Sequence, residues 1–157
     1  MIRFYRTAIF AALMLAAASC SGPEQNRGEV EVDFLWVKTG GDRVYEGGIS
    51  HALLKVEKSQ TGIQVGVFES KPGGTGELWR SAMWMAALTG TLTIGKNPLD
   101  YRYSVETETL SNRVDGPSHG GLFAVAIMAA LSGRTLDPKA TMTGTVNPDG
   151  SIGPVGG

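Results

Sequence analysis

Residues 115–133 read DGPSHGGLFAVAIMAALSG, and this stretch decides the fold. His119–Leu131 is apolar on nearly every side, which predicts a helix buried all round rather than one lying at a surface. Gly133 supplies its stop, because glycine accepts the left-handed backbone that closes many helices. Just ahead, Gly116-Pro117-Ser118-His119-Gly120 fits G-x-S-x-G between a strand and a helix. A serine so placed sits among unsatisfied backbone N–H groups at the positive end of the helix dipole, a setting that stabilises an oxyanion. Pro117 sets the entry angle, while Gly120 and Gly121 let another backbone come close. On the motif alone two readings of Ser118 stay open: an acyl-transfer nucleophile, or a helix cap.

Upstream of this stretch strands come first. Val30, Val32, Phe34 and Trp36 alternate with Glu31, Asp33 and Leu35, the period of a strand with one buried face. Gly40-Gly41-Asp42 predicts a turn, and His51–Glu57 and Gln64–Phe68 predict strands on either side of Thr61-Gly62. Lys71–Glu77 reads as a flexible loop leading into a helix over Leu78–Leu88 that stops at Gly90, with Trp79, Met83 and Trp84 in the core. Thr91–Ile94 and Tyr101–Thr107 read as strands around Asn97-Pro98, with Tyr101, Tyr103 and Val105 on one face. Downstream, Thr141–Val146 and Ile152–Val155 flank Asn147-Pro148-Asp149-Gly150, a β-turn signature. There is no internal repeat. The expected fold is a single α+β or α/β domain with a mixed sheet and buried helices.

Composition narrows the function classes. The 157 residues carry 14 Lys+Arg against 15 Asp+Glu, and this even scatter offers no electrostatic footprint for nucleic acid. One cysteine and two histidines cannot assemble a zinc site of the usual spacings, and Cys20 has no partner for a disulfide. No metal or organic cofactor is expected. Met1–Ser19 has Arg3 and Arg6, no acid, and the apolar run Ala8–Ala18, the organisation of a secretory signal peptide. The run is short for a permanent membrane span. Ala17-Ala18-Ser19-Cys20 resembles a bacterial lipobox, which implies a lipidated Cys20; plain secretory cleavage near Ala18 is the alternative. Residues 20–29 then form the lipidated cysteine and its polar tether, and residues 30–157 the domain. Removing 19 of 157 residues leaves 138, too few for an additional ATPase domain.

Two further motifs bear on the chemistry. Gly90–Lys96 (GTLTIGK) matches most of the phosphate-binding pattern G-x-x-x-x-G-K-S/T, but Asn97 replaces the magnesium-binding hydroxyl and Pro98 follows where a helix must open. ATP binding is not expected there. Activation of Ser118 requires a base. His119 is adjacent and cannot face the same way, and an α/β-hydrolase order fails because no later histidine exists. A His51–Asp100–Ser118 triad is conceivable, but His51 reads as a surface or strand histidine. A lysine is the remaining choice, since burial among apolar groups can hold its amine neutral.

Asp115–Gly121, Ala129-Ala130-Leu131-Ser132-Gly133-Arg134, Met142-Thr143-Gly144-Thr145-Val146 and Gly153-Pro154-Val155-Gly156-Gly157 follow one another in an order and spacing that resemble the proteolytic domain of the Lon proteases. Leu35–Gly41 and Leu78–Leu88 are weakly similar to its earlier parts. The resemblance implies a serine endopeptidase acting on unfolded protein or peptide, with Ser118 the nucleophile of a Ser–Lys dyad. Thr143 is by the same resemblance the hydroxyl that helps position the lysine, and Asp115 an acidic residue before the serine loop. His119 departs from the small residue usual there. The family's lysine follows the Val155-Gly156-Gly157 turn, and none of Lys38, Lys55, Lys58, Lys71, Lys96 or Lys139 holds that place. The expectation is therefore an incomplete domain, catalytically silent as a fragment. The address is extracytoplasmic, membrane-anchored through the lipid in a bacterial envelope; the competing expectation is a non-catalytic envelope lipoprotein that uses the same fold to bind peptides or partners.

Overall fold

Two long strands open the fold as a hairpin. In the computed structural model, which describes residues 28–40, 43–70, 72, 74–108 and 114–155, β1 (Glu29–Gly40) pairs antiparallel with β2 (Arg43–Lys58). The signal residues, Cys20, most of the tether, the Gly41-Asp42 part of the expected turn and Gly156-Gly157 lie outside the described residues. β2 also pairs antiparallel with β4 (Tyr101–Thr107), which pairs parallel with β3 (Gln64–Glu69), so the mixed sheet runs β1-β2-β4-β3. The alternation read in the sequence sets the sheet's faces. Val30, Val32, Phe34, Leu54, Val56, Tyr101, Tyr103 and Val105 turn inward, while Glu31, His51, Glu57, Arg102 and Glu106 turn outward. β2 begins well before His51, pairing with β1 from Arg43 onward, and at Gly48 a side chain would collide with the Trp36 indole.

The inner face is covered by two helices, α1 (Glu77–Thr93) and α2 (Gly120–Ser132). A short antiparallel pair, β5 (Thr145–Val146) and β6 (Ile152–Gly153), follows. This is an α+β domain. Its core joins Phe34, Trp79, Phe123, Ile127, Leu54 and Met83, all at most 1% exposed. Burying each of the larger ones contributes roughly 1.5–3 kcal/mol. α2 is buried as its sequence predicts. Gly133 closes it at φ 63°, with Arg134 N–H donating to the Ala129 carbonyl at 2.9 Å.

α1 departs from expectation in three ways. It runs through Gly90 instead of stopping there, because Gly90 is a contact point: a Cβ would stand 2.6 Å from the Ala124 carbonyl oxygen of α2. Thr91, read as strand, is a buried helical residue whose hydroxyl is 2.7 Å from that of Tyr103. The stop is Gly95 at φ 70°; Gly95 N–H donates to Leu92 and Lys96 N–H to Thr91, closing the helix by a Schellman motif. GTLTIGK is thus a helix C-terminus, whose exposed carbonyls repel phosphate. Trp84, placed in the core by the sequence reading, is 43% exposed.

The loop before α1 is likewise more ordered than its glycines suggest. Glu69 accepts hydrogen bonds from Gly74 N–H, Thr75 N–H, the Thr75 hydroxyl and Arg80. The Thr75 hydroxyl foremost, with further help from backbone N–H groups and Arg80, holds the Glu69 carboxyl below its ordinary pKa against the opposing effect of burial.

Candidate active site

The approach to the serine is fixed from two sides. Thr75 and Val114 form a parallel bridge, with Gly76 N–H donating to Val114 and Val114 N–H to Gly74. Asp115 follows, and its Oδ1 accepts from Trp79 N–H at 3.1 Å and Gly116 N–H at 2.9 Å. Gly76 is the formal N-cap of α1 and has no side chain, so Asp115 caps that helix from a distant part of the chain. A Cβ at Gly76 would collide with the Asp115 carboxylate, which is why glycine stands there. The acidic residue ahead of the serine loop therefore positions the loop against α1. Gly116 then reverses the chain at φ 112°.

Ser118 is half-buried, one residue ahead of the N-cap His119. Its hydroxyl makes no hydrogen bond to any described residue, so the cap reading fails. Its carbonyl is held twice: Gly144 N–H donates at 2.6 Å and the Thr143 hydroxyl at 3.2 Å. Gly144 in turn accepts from Gly121 N–H at 2.9 Å. Two segments singled out by resemblance, Ser118 and Thr143, thus meet. Thr143 fixes the serine's own backbone, and Gly144, which the sequence reading left without a role, completes the clamp. The first-turn donors are partly spent, Gly120 N–H on Pro117 and Gly121 N–H on Gly144. The N–H groups of Ser118 and His119 have no hydrogen-bond partner among the described residues.

His119 points into the core. Its ring stacks on Trp79 with centroids 4.4 Å apart and meets Phe123 edge-on at 5.2 Å, and Nε2 is 3.2 Å from the Trp79 carbonyl. Burial lowers its pKa to about 4, outweighing the Trp79 carbonyl and the nearby Asp115 charge. The ring is therefore neutral at pH 7, with Nε2–H donating to Trp79. Sequence reasoning noted that His119 cannot face the same way as Ser118 and missed Trp79 as its platform.

No base reaches Ser118 among the described residues. His51 stands on the outer sheet face with Nδ1 2.6 Å from Asp33, across the sheet from the serine loop, so the His51–Asp100–Ser118 arrangement is excluded. Lys55 pairs with Glu106 at 2.8 Å, Lys38 with Glu46 at 3.8 Å, and Lys58 lies 4.2 Å over the Tyr101 ring. Lys139 is exposed. Among the described residues no group of three His, Cys, Asp or Glu is arranged to hold a metal ion. Among the described residues the site brings together the Ser118 hydroxyl and the N–H groups of Ser118 and His119, on a loop held by Thr143 and Gly144. A scan of protein-family models finds none that matches the chain, and a search of curated proteins finds no match either.

Proposed function

We propose that the chain carries the nucleophile-bearing part of a Lon-type serine endopeptidase, lipid-anchored through Cys20 on the extracytoplasmic side of a bacterial envelope. The observation that carries the reading is the clamp on Ser118: its hydroxyl is left unbonded while Thr143 and Gly144 immobilise its backbone at the start of α2. In peptide hydrolysis the Ser118 oxygen attacks the scissile carbonyl as its proton passes to a base; the tetrahedral intermediate then expels the amine, which takes that proton, and water hydrolyses the resulting acyl-enzyme to regenerate Ser118. The N–H groups of Ser118 and His119, which have no partner among the described residues, are the donors suited to the developing oxyanion. The reading requires a lysine from outside the described residues as base, a contribution of roughly 10²–10⁴-fold.

The test is cleavage of a dye-labelled unfolded protein by the natural full-length product. Ser118→Ala should abolish cleavage, Thr143→Val should lower kcat, and ATP should leave the rate unchanged. Cleavage that persists in Ser118→Ala overturns the reading. For the anchor, Cys20→Ala should abolish labelling by a fatty-acid probe; unchanged labelling sinks that part.

A second reading is favoured by one observation, the absence of a base beside Ser118 among the described residues. In it the chain is a non-catalytic envelope lipoprotein that binds unfolded peptides. Binding without turnover, indifferent to Ser118→Ala, is its signature.

A further inference from the structure

The loop that carries Ser118 is fastened at both of its ends to one residue of α1. At the first end the Asp115 carboxylate accepts from Trp79 N–H at 3.1 Å. Four residues on, His119 Nε2 lies 3.2 Å from the Trp79 carbonyl oxygen, and because a carbonyl only accepts, the ring nitrogen is the donor. The N–H and C=O of a helical residue point opposite ways along the helix axis. The loop therefore lies along the first turn of α1, with Gly116, Pro117 and Ser118 strung between the two grips. The second grip is the deeper one: His119 is 4% exposed, while Asp115 is exposed. Stacking on Trp79 at 4.4 Å and the edge contact with Phe123 at 5.2 Å fix the plane of the imidazole and aim Nε2 at the carbonyl.

We infer that His119 is a positioning residue for Ser118, holding the serine loop on α1 through its Nε2–H bond to the Trp79 carbonyl. Its effect on turnover rests on the serine-peptidase reading; its effect on the order of the loop does not. The Ser118 carbonyl and the His119 N–H belong to one planar peptide group and point to opposite sides of it. Gly144 N–H and the Thr143 hydroxyl hold that group by its carbonyl. The His119 side chain holds it from the following Cα. With both in place the peptide cannot rotate, and its N–H stays aimed to the side away from Thr143 and Gly144, where an oxyanion would be received. Loss of the Trp79 bond leaves only the carbonyl clamp, and the donor swings about it.

The experiment compares His119→Phe and His119→Gln in the full-length protein. His119→Phe keeps an aromatic ring against Trp79 and Phe123 and loses the donor; His119→Gln loses the ring and keeps an N–H that reaches the Trp79 carbonyl. With a dye-labelled unfolded protein as substrate, His119→Phe should lower kcat about tenfold with KM within about twofold, because an oxyanion donor acts in the transition state. His119→Gln should recover most of that loss. Apart from any turnover, hydrogen exchange in His119→Phe should quicken about tenfold at the Gly120, Gly121 and Gly144 amides, which close the clamp, and stay unchanged at Ile127 in the middle of α2. Exchange that is unchanged at those glycines in His119→Phe overturns the inference. So does a His119→Phe that cleaves faster than a folded His119→Gln, since the ring would then matter as a filler of the core. Cleavage that survives Ser118→Ala overturns the peptidase reading alone, and the exchange rates then decide on the grip. They decide likewise where His119→Gln does not fold.

Discussion

The two helices end up in different surroundings. α2 is Ala-rich, carries no charge, and is buried along most of its length; α1 is more polar, with Glu77 and Arg80 in its first turn and Thr89, Thr91 and Thr93 towards its end, and one side faces outward. They touch where Gly90 meets Ala124. Both pack on the inner face of the sheet: α2 lies against β1 and β2, while α1 reaches β4 through Thr91 and Tyr103 and β1 through Trp79 and Phe34. The outward side of α1 is covered by no other element among the described residues. An apolar residue on either helix would accept a neighbour; what differs is which surface arrives to cover it.

That contrast can be broken most directly by truncation. Phe123→Ala in α2 removes a ring in contact with Phe34, Trp79 and His119 and should lower unfolding free energy by about 3–5 kcal/mol, read from the urea midpoint. A loss below about 1 kcal/mol would mean that α2 is not the centre of the core.

The next largest effect belongs to the start of α2 and is read by pH. The unfolded His119 imidazole titrates near 6.5, while the buried one has a pKa lowered to about 4. Between those values the unfolded chain binds more protons, so stability is full above about pH 6.5 and falls as pH drops towards about 4. The loss should approach about 3 kcal/mol. His119→Phe should flatten this window. Glu69, whose carboxyl is held low by Thr75, loses its contribution only as pH falls further, through its own lowered pKa. An unchanged slope in His119→Phe would assign the acid sensitivity to another group.

The start of α1 offers the matching, smaller test. Asp115→Ala removes the cap on Trp79 N–H and should cost about 0.5–2 kcal/mol, with Asp115→Asn milder because an acceptor oxygen remains. Equal losses in the two variants would point to the charge instead of the hydrogen bond. Smallest of all is Leu92→Ser on the outer side of α1, where the side chain is 58% exposed and the change is expected within about 0.5 kcal/mol. A loss comparable with Phe123→Ala would show that this side of α1 is covered within the protein itself.

Much of this was legible in the residues. The alternation at Val30–Trp36 and Tyr101–Val105 marked the inner face because a strand alternates its side chains whatever packs against it. The run His119–Leu131 announced a buried helix for the same local reason. The errors share a cause. Gly90 looks like a stop and Thr91–Ile94 like a strand as long as neighbours are ignored. Contact with Ala124 and the Thr91–Tyr103 hydrogen bond override both propensities. Lys71–Glu77 looked loose because its glycines are visible and the Glu69 carboxylate that holds Gly74 and Thr75 is not. At the site, the place of Ser118 at the entrance to a helix was readable from its motif, but the clamp by Thr143 and the Asp115 cap on α1 join residues far apart in the chain.

By itself, then, the sequence determined the inward faces of β1 and β4, the burial and the glycine closure of α2, and the unusual serine at that helix's entrance. These depend on periodicity and on the backbone freedom of single residues, both of which act over a few positions. Only the tertiary structure decided that α1 continues through Gly90 to Thr93 and closes at Gly95, that Trp84 faces out while His119 turns in against Trp79, and that Ser118 is held by Thr143 and Gly144. Each of those depends on which surface arrives from a distant part of the chain, and local propensities worth a few tenths of a kcal/mol per residue yield to the packing and hydrogen bonds that arrive with it.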